Sequence, residues 1–290
     1  MGNRLAENAS LKGLEVFSAY KEHIPQHGKP VRLDIADEGQ VGKAVSEIRP
    51  HLIVNTAGLT DVDRCEIEPD LASLVNGESV RHIANAASEA DSFLVQVSTD
   101  GVFDGEKGRY SETDPPHPIN TYGLSKLEGE RAAEALGEGS WCIARTSVLY
   151  GRGRPWRPNA ATYVYEKLSK GERVFMVTDQ YSNPTLNTNL AAMILEIAER
   201  RISGIIHTTG ATRLSRYDFA IRLAKTLDCD ERLITAAGAN DMHWRAKRPR
   251  DSSLDVTRAT RILSEKPLPI DTALEELRRE LEKAKSSQSL

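Results

Sequence analysis

Residues 95–130 contain the side chains best spaced to move a proton at a carbonyl group. The stretch opens as an apolar, β-branched strand that ends on Ser98-Thr99-Asp100, and a Gly- and Pro-rich loop leads to a helical pattern carrying Tyr122 and Lys126. Residues at i and i+4 share a helix face, with roughly 5–6 Å between their Cβ atoms. An ammonium that close favours the phenolate and lowers a phenol pKa that is normally about 10. A tyrosine tuned in this way donates or takes a proton at a carbonyl or carbinol oxygen near neutral pH. Thr99, at the carboxyl end of its strand, is placed to hydrogen-bond the same oxygen. This set suits hydride transfer. Taken alone, the spacing also describes a surface lysine beside a half-buried tyrosine, so the elements around it decide.

The 290 residues suffice for one large α/β domain or a domain with a smaller lobe. Hydrophobic residues make up 39% and charged ones 28%, as in ordinary globular proteins, and a net charge of −4 argues against a general nucleic-acid or anionic-membrane surface. Cys65, Cys142 and Cys229 stand far apart without metal-ligand spacing, which predicts core thiols in a reducing cytoplasm. No apolar run approaches the ~20 residues of a membrane span, and no signal peptide opens the chain.

Strands and helices alternate as far as Tyr150, which predicts an α/β fold with a doubly wound parallel sheet. The pattern gives a helix from the first residues, strands over 14–20, 30–35, 51–55 and 92–97, a helix over 38–49, and the Tyr122 helix over 120–136. The strand over 14–20 ends before Lys21 with no acid at its end. After Gly151 a basic, aromatic and Pro-rich run (152–159) suits a loop meeting an anion. It is followed by helices over 162–170, 187–200, 217–227 and 272–283.

S-T-D at a strand end, V-F-D-G at 102–105 and P-I-N-T-Y-G at 118–123 together resemble the extended short-chain dehydrogenase/reductase superfamily. D-Q-Y-S-N-P-T at 179–185 and R-P-R-D-S-S-L at 248–254 are similar to motifs of its dTDP-4-dehydrorhamnose reductase family, related to the methionine adenosyltransferase regulatory subunit. The resemblance implies a Rossmann-like sheet whose first strand and Gly-rich turn are missing, with Gly2 where the turn's last glycine would stand. About one strand and a tight turn would complete it, and without them two strand edges are left unpaired. Two explanations stay open: an assigned start downstream of the true one, or a chain that has lost its pyrophosphate cradle.

The same resemblance implies residues 1–150 as the nucleotide-binding domain and 151–290 as a smaller interleaved substrate lobe, with 187–206 returning to the first. Thr99, Tyr122 and Lys126 would be catalytic. Gly2, Lys21, Asp34, Asn55, Thr56, Ala57, Ser98 and Arg145 would join Tyr122 and Lys126 around the cofactor. Asp34 would reach the adenine and Lys21 a 2′-phosphate. Thr60, Val62, Asp100, Pro184, Thr185 and Arg248 would meet the substrate. Gly101 and Val148 depart from aromatic residues common in the family. The implied function is an NADPH-dependent reductase, tolerating NADH, of a nucleotide-linked 4-keto sugar such as dTDP-4-dehydrorhamnose. The alternatives are a non-catalytic NADP-binding regulatory subunit and a nucleotide-sugar epimerase. Expected partners are the nucleotide sugar and a second copy or a synthetase, with no nucleic acid, metal or membrane.

Overall fold

A computed structural model of the chain describes residues 1–152 and 158–288. In chain order the first half contains α1 (Gly2–Leu11), β1 (Phe17–Tyr20), β2 (Lys29–Arg32), α2 (Glu38–Ile48), β3 (Leu52–Asn55), α3 (Val62–Ile67) and α4 (Pro69–Ser73). A π-helical turn (Leu74–Glu78), α5 (Ser79–Glu89), β4 (Phe93–Thr99), a 3-10 turn (Asp100–Val102), α6 (Thr121–Glu134) and β5 (Trp141–Thr146) follow. The second half contributes β6 (Leu149–Tyr150), α7 (Ala160–Ser169), β7 (Val174–Val177), β8 (Tyr181–Ser182), β9 (Thr185–Leu186), α8 (Asn187–Glu199) and β10 (Gly204–His207). It closes with β11 (Leu214–Ser215), α9 (Arg216–Thr226), β12 (Ile234–Ala237), α10 (Thr257–Ile262) and α11 (Ile270–Gln288).

The central layer is a parallel sheet in the order β10-β5-β4-β3. Both of its faces are covered, which is why β4 is a continuous apolar run rather than an alternating one. Phe93 and Val95 pack against Leu190, Met193, Ile194 and Ile197 of α8. Leu94 and Ile143, on the opposite face, meet Val80, Ile83 and Ala87 of α5 and Val41 of α2. Each fully buried aliphatic side chain contributes about 1.5–3 kcal/mol. A second core forms around α7, α9 and α11, with Tyr150 tilted on Phe219 at 4.9 Å between ring centroids. Short strand pairs (β12-β7, β11-β8, β6-β9) frame that half.

Helix α6 is seated on this sheet by close backbone approach. Asn120 caps it, accepting from Gly123 N at 2.8 Å. A Cβ on Gly123 would stand 2.1 Å from the Gly101 carbonyl oxygen, and one on Gly129 would stand 2.2 Å from that of Asn76. Only glycine permits both contacts.

The expected break in the sheet is present. β1 pairs with β2 as a separate two-stranded parallel sheet, while β3 pairs with β4, and no described strand lies between β1 and β3. Residues 14–16 fall outside the strand expected to contain them. The Leu14 amide donates instead to Ala9 O at 3.1 Å, closing α1. An isolated two-stranded sheet is marginal in water, and β1 and β2 are half-buried to exposed along their lengths. Hydrogen exchange followed by mass spectrometry should therefore find residues 17–32 at least roughly 100-fold less protected than residues 93–99. Equal protection would mean that β1 and β2 belong to the same cooperative unit as the main sheet.

Candidate active site

The carboxyl ends of β3, β4 and β5 open into a cleft of about 960 Å³ whose far wall comes from the second half of the chain. Such crevices at strand ends are where open α/β sheets bind ligands. Thr99, Tyr122 and Lys126 all line it. Thr99 is brought there by the end of β4, and Tyr122 and Lys126 by the first two turns of α6. A Cβ built on Gly101 would lie 3.4 Å from Thr99 Oγ1 and 3.4 Å from the Tyr122 ring, so hydroxyl and phenol converge on that glycine.

Burial pushes the Tyr122 phenol up to about 12, the Asp100 carboxylate adding to the rise and the Thr99 hydroxyl opposing it. Burial also pulls the Lys126 ammonium down to about 8, against the Glu130 carboxylate one turn on. The expected depression of the phenol by the lysine is thus not met in the free chain. Lys126 Nζ donates to the Val97 carbonyl at 2.7 Å, and desolvation dominates the phenol.

Asp100 lies at the base of the cleft, buried, and accepts from Ser147 Oγ at 2.7 Å and Ser252 Oγ at 2.6 Å. One carboxylate thereby gathers the β4 end, the β5–β6 connection and the C-terminal segment. Burial raises its pKa, with the Ser252, Ser147 and Thr99 hydroxyls opposing the rise.

Gly2, Thr56 and Ala57 line the cleft near the start of α1. That helix has no side-chain cap, and a Cβ on Gly2 would stand 2.9 Å from Thr56 Oγ1, so backbone and hydroxyl are in close approach. Uncapped N–H groups at a helix start suit a phosphate. Ser98, Thr60 and Val62 also line the cleft. Lys21 and Asp34 do not. They pair with each other, Nζ to Oδ2 at 2.7 Å, and Glu22 and His23 face the cleft instead. Asp37 caps α2, accepting from Gln40 N at 3.0 Å. Asn55 is buried behind the lining, donating to Gln96 Oε1 at 2.8 Å and accepting from Ala57 N at 3.1 Å.

On the far wall, Arg248 lines the cleft, whereas Pro184 and Thr185 do not. The Thr185 hydroxyl is used internally, donating to Asn183 O at 2.9 Å and accepting from Gly210 N at 3.1 Å. Gln180, Tyr181 and Ser182 from the same motif reach the lining in their place. Arg216 carries no recognisable signal in the sequence pattern. Its guanidinium lines the cleft and makes no hydrogen bond or ion pair among the described residues. Arg216 and Arg248 lie over the Trp244 ring, at 5.8 and 5.4 Å from its centroid. Burial and the proximity of Arg248 lower the Arg216 pKa. Arg248 already pairs with Asp63 Oδ1 at 3.1 Å, and Arg216 beside it leaves positive charge suited to an anion. Of the basic run at 152–159, residues 153–157 lie outside the described residues; Arg152 lines the cleft.

A family model described as the RmlD substrate binding domain matches residues 1–283. The chain is 36% identical over 260 residues to a dTDP-4-dehydrorhamnose reductase from Aggregatibacter actinomycetemcomitans, covering 85% of this chain and 86% of that one. It is 33% identical over 198 residues to methionine adenosyltransferase 2 subunit beta from Xenopus laevis, covering 66% of this chain and 59% of that protein. The crystal structure of dTDP-4-dehydrorhamnose reductase from Bacillus anthracis in complex with NADP superposes with a TM-score of 0.83 at 28% identity, covering 96% of this chain and 97% of that one.

Arg145 is absent from the cleft lining because it is occupied beneath it. Its Nε and Nη2 donate to the Glu130 carboxylate at 2.9 and 2.7 Å, and both side chains are almost wholly buried. Ser98 Oγ donates to the same carboxylate. Removing one member of a buried pair leaves the other charge uncompensated. Glu130→Ala should therefore cost about 3–5 kcal/mol in urea unfolding, while the double change Glu130→Leu with Arg145→Met should recover most of it. A double variant no better than the single one would show that the pair itself stabilises the fold.

Proposed function

The chain belongs to the RmlD substrate binding domain family and is an NAD(P)-dependent oxidoreductase; from that premise we propose that it reduces the 4-keto group of a nucleotide-linked sugar, dTDP-4-dehydrorhamnose being the leading substrate, with NADPH. The observation that carries the reading is the convergence of Thr99, Tyr122 and Lys126 on one cleft that also presents the Arg216 and Arg248 guanidinium groups. When bound, the reduced nicotinamide supplies the hydride for the keto carbon. The residues present fit that cofactor: the uncapped start of α1 with Gly2 for the pyrophosphate, Thr56, Ala57 and Ser98 along the strand ends, and Lys126 for the nicotinamide ribose.

Thr99 Oγ1 orients the carbonyl, and Tyr122 Oη gives its proton to the oxygen as negative charge develops there. Lys126 keeps a positive charge beside the phenolate that results. Thr60 and Val62 flank the sugar, and the two arginines take the diphosphate. Sequence similarity to the methionine adenosyltransferase subunit supports a second reading, a nucleotide-binding partner of a synthetase. No NADPH oxidation by the unsubstituted chain with any 4-keto sugar nucleotide would favour that one.

Tyr122→Phe removes the proton donor and little else, so kcat should fall about 10²–10⁴-fold while dTDP binding stays within about threefold in calorimetry. A Phe variant with normal turnover would remove Tyr122 from the mechanism. The pH dependence tests the lysine. With Lys126 pulled down to about 8, it is charged below that pH and neutral above it, whereas Tyr122 holds its proton up to about 12. The kcat/KM of reduction should therefore fall above about pH 8, and Lys126→Met should be slow and lack that limb. An alkaline limb that survives the substitution would belong to another group.

A further inference from the structure

The loop carrying Arg248 contains neither helix nor strand between Trp244 and Arg250, yet its guanidinium must be held in the cleft wall. The first turn of α3, far away in sequence, supplies the hold. Asp63 Oδ1 accepts from Arg245 N at 3.0 Å and from Ala246 N at 2.9 Å, and it pairs with Arg248 Nη2 at 3.1 Å. Asn120, the cap of α6, donates from Nδ2 to Lys247 O at 2.9 Å, fixing the loop from the other side. One carboxylate oxygen thus sets the backbone of the loop and the direction of its arginine. Val62, the neighbour of Asp63, and Tyr122, two residues after Asn120, both line the cleft. The anchors of the arginine loop are therefore the same short segments that present Val62 and Tyr122.

We propose that Asp63 is the positioning residue for Arg248: it shapes the loop over residues 245–248 so that the Arg248 guanidinium, beside Arg216, meets the diphosphate of the sugar nucleotide. This rests on the function proposed above. Asp63 does not touch the reacting atoms. Its effect is on binding through the shape of the loop. An asparagine at this position keeps an acceptor oxygen for the two backbone N–H groups, whereas an alanine keeps none.

The test is calorimetric titration of the full chain with dTDP, alongside steady-state kinetics with the sugar nucleotide. Asp63→Ala should weaken dTDP binding about tenfold or more, and KM should rise in step while kcat stays within about twofold. Asp63→Asn should restore dTDP binding to within about threefold of the unsubstituted chain. If the unsubstituted chain binds no dTDP, the nucleotide-sugar reading falls and this proposal with it. If it binds dTDP and Asp63→Ala binds it equally well, the positioning role alone is overturned. It is likewise overturned if the asparagine variant loses as much as the alanine variant, or if kcat falls while dTDP binding is kept.

Discussion

The structure depends on the register of one helix against one sheet, and a buried carboxylate sets that register. Glu130 of α6 takes Ser98 from β4 and Arg145 from β5, so the three elements that frame the cleft floor are fixed at one point. A slip of α6 by one turn would carry Tyr122 about 5.4 Å along the axis, farther than a hydrogen bond can stretch. It would also bring Gly123 and Gly129 out of contact with the backbone carbonyls they lie against, and place bulkier side chains there. The charge pair and the two glycines therefore exclude the same alternative by independent means. Buried pairs are often near neutral for stability when replaced as a unit, and fixing the helix register is a role consistent with that.

The electrostatics of the cleft follow from burial more than from pairing. A lysine one turn from a tyrosine was expected to make the phenol acidic, but here both groups are desolvated and each is driven toward its neutral form. For reduction this is the useful direction. The phenol must begin as an acid, and a pKa raised to about 12 keeps the proton on it across the physiological range. The lysine, at about 8, still carries its charge at neutral pH. The two shifts together leave a loaded proton donor one helical turn from a cation, which suits an oxygen that is gaining negative charge.

The elements were largely legible in the sequence because they obey local rules. The apolar run of β4, the Asn cap and i,i+4 pair of α6, and the strand–helix alternation all mark their positions within a few residues. The placements that differ from expectation belong to side chains whose partners are distant in sequence. Arg145, which the resemblance implies at the cofactor, instead pairs with Glu130, and no local pattern links β5 to that position on α6. Lys21 and Asp34, each assigned to the cofactor, satisfy one another across β1 and β2. Thr185 directs its hydroxyl at Gly210, on a segment no pattern connects to it. Arg216 is hidden in the sequence for the converse reason. It opens a helix after a Ser cap, where a basic residue is unremarked, and its significance appears only when Arg248 and Trp244 are folded against it.

The divided sheet constrains how the nucleotide side of the cleft is held. No described strand lies between β1 and β3, and the contacts that hold α1 among the described residues come from its flanks. Met1 and Leu5 pack into the α8 face of the main core, Arg4 pairs with Glu280 of α11 at 3.5 Å, and Lys12 pairs with Glu199 of α8 at 2.7 Å. The last two are partly exposed ion pairs, each contributing about 0–1 kcal/mol, so the apolar contact on α8 bears most of the load. Because α8 also packs on β4, the start of α1 is referred to the same strand that delivers Ser98 and Thr99. The phosphate-facing helix start and the proton-transfer residues thus share one reference element even though the sheet is in two pieces, and the cleft between them keeps its shape.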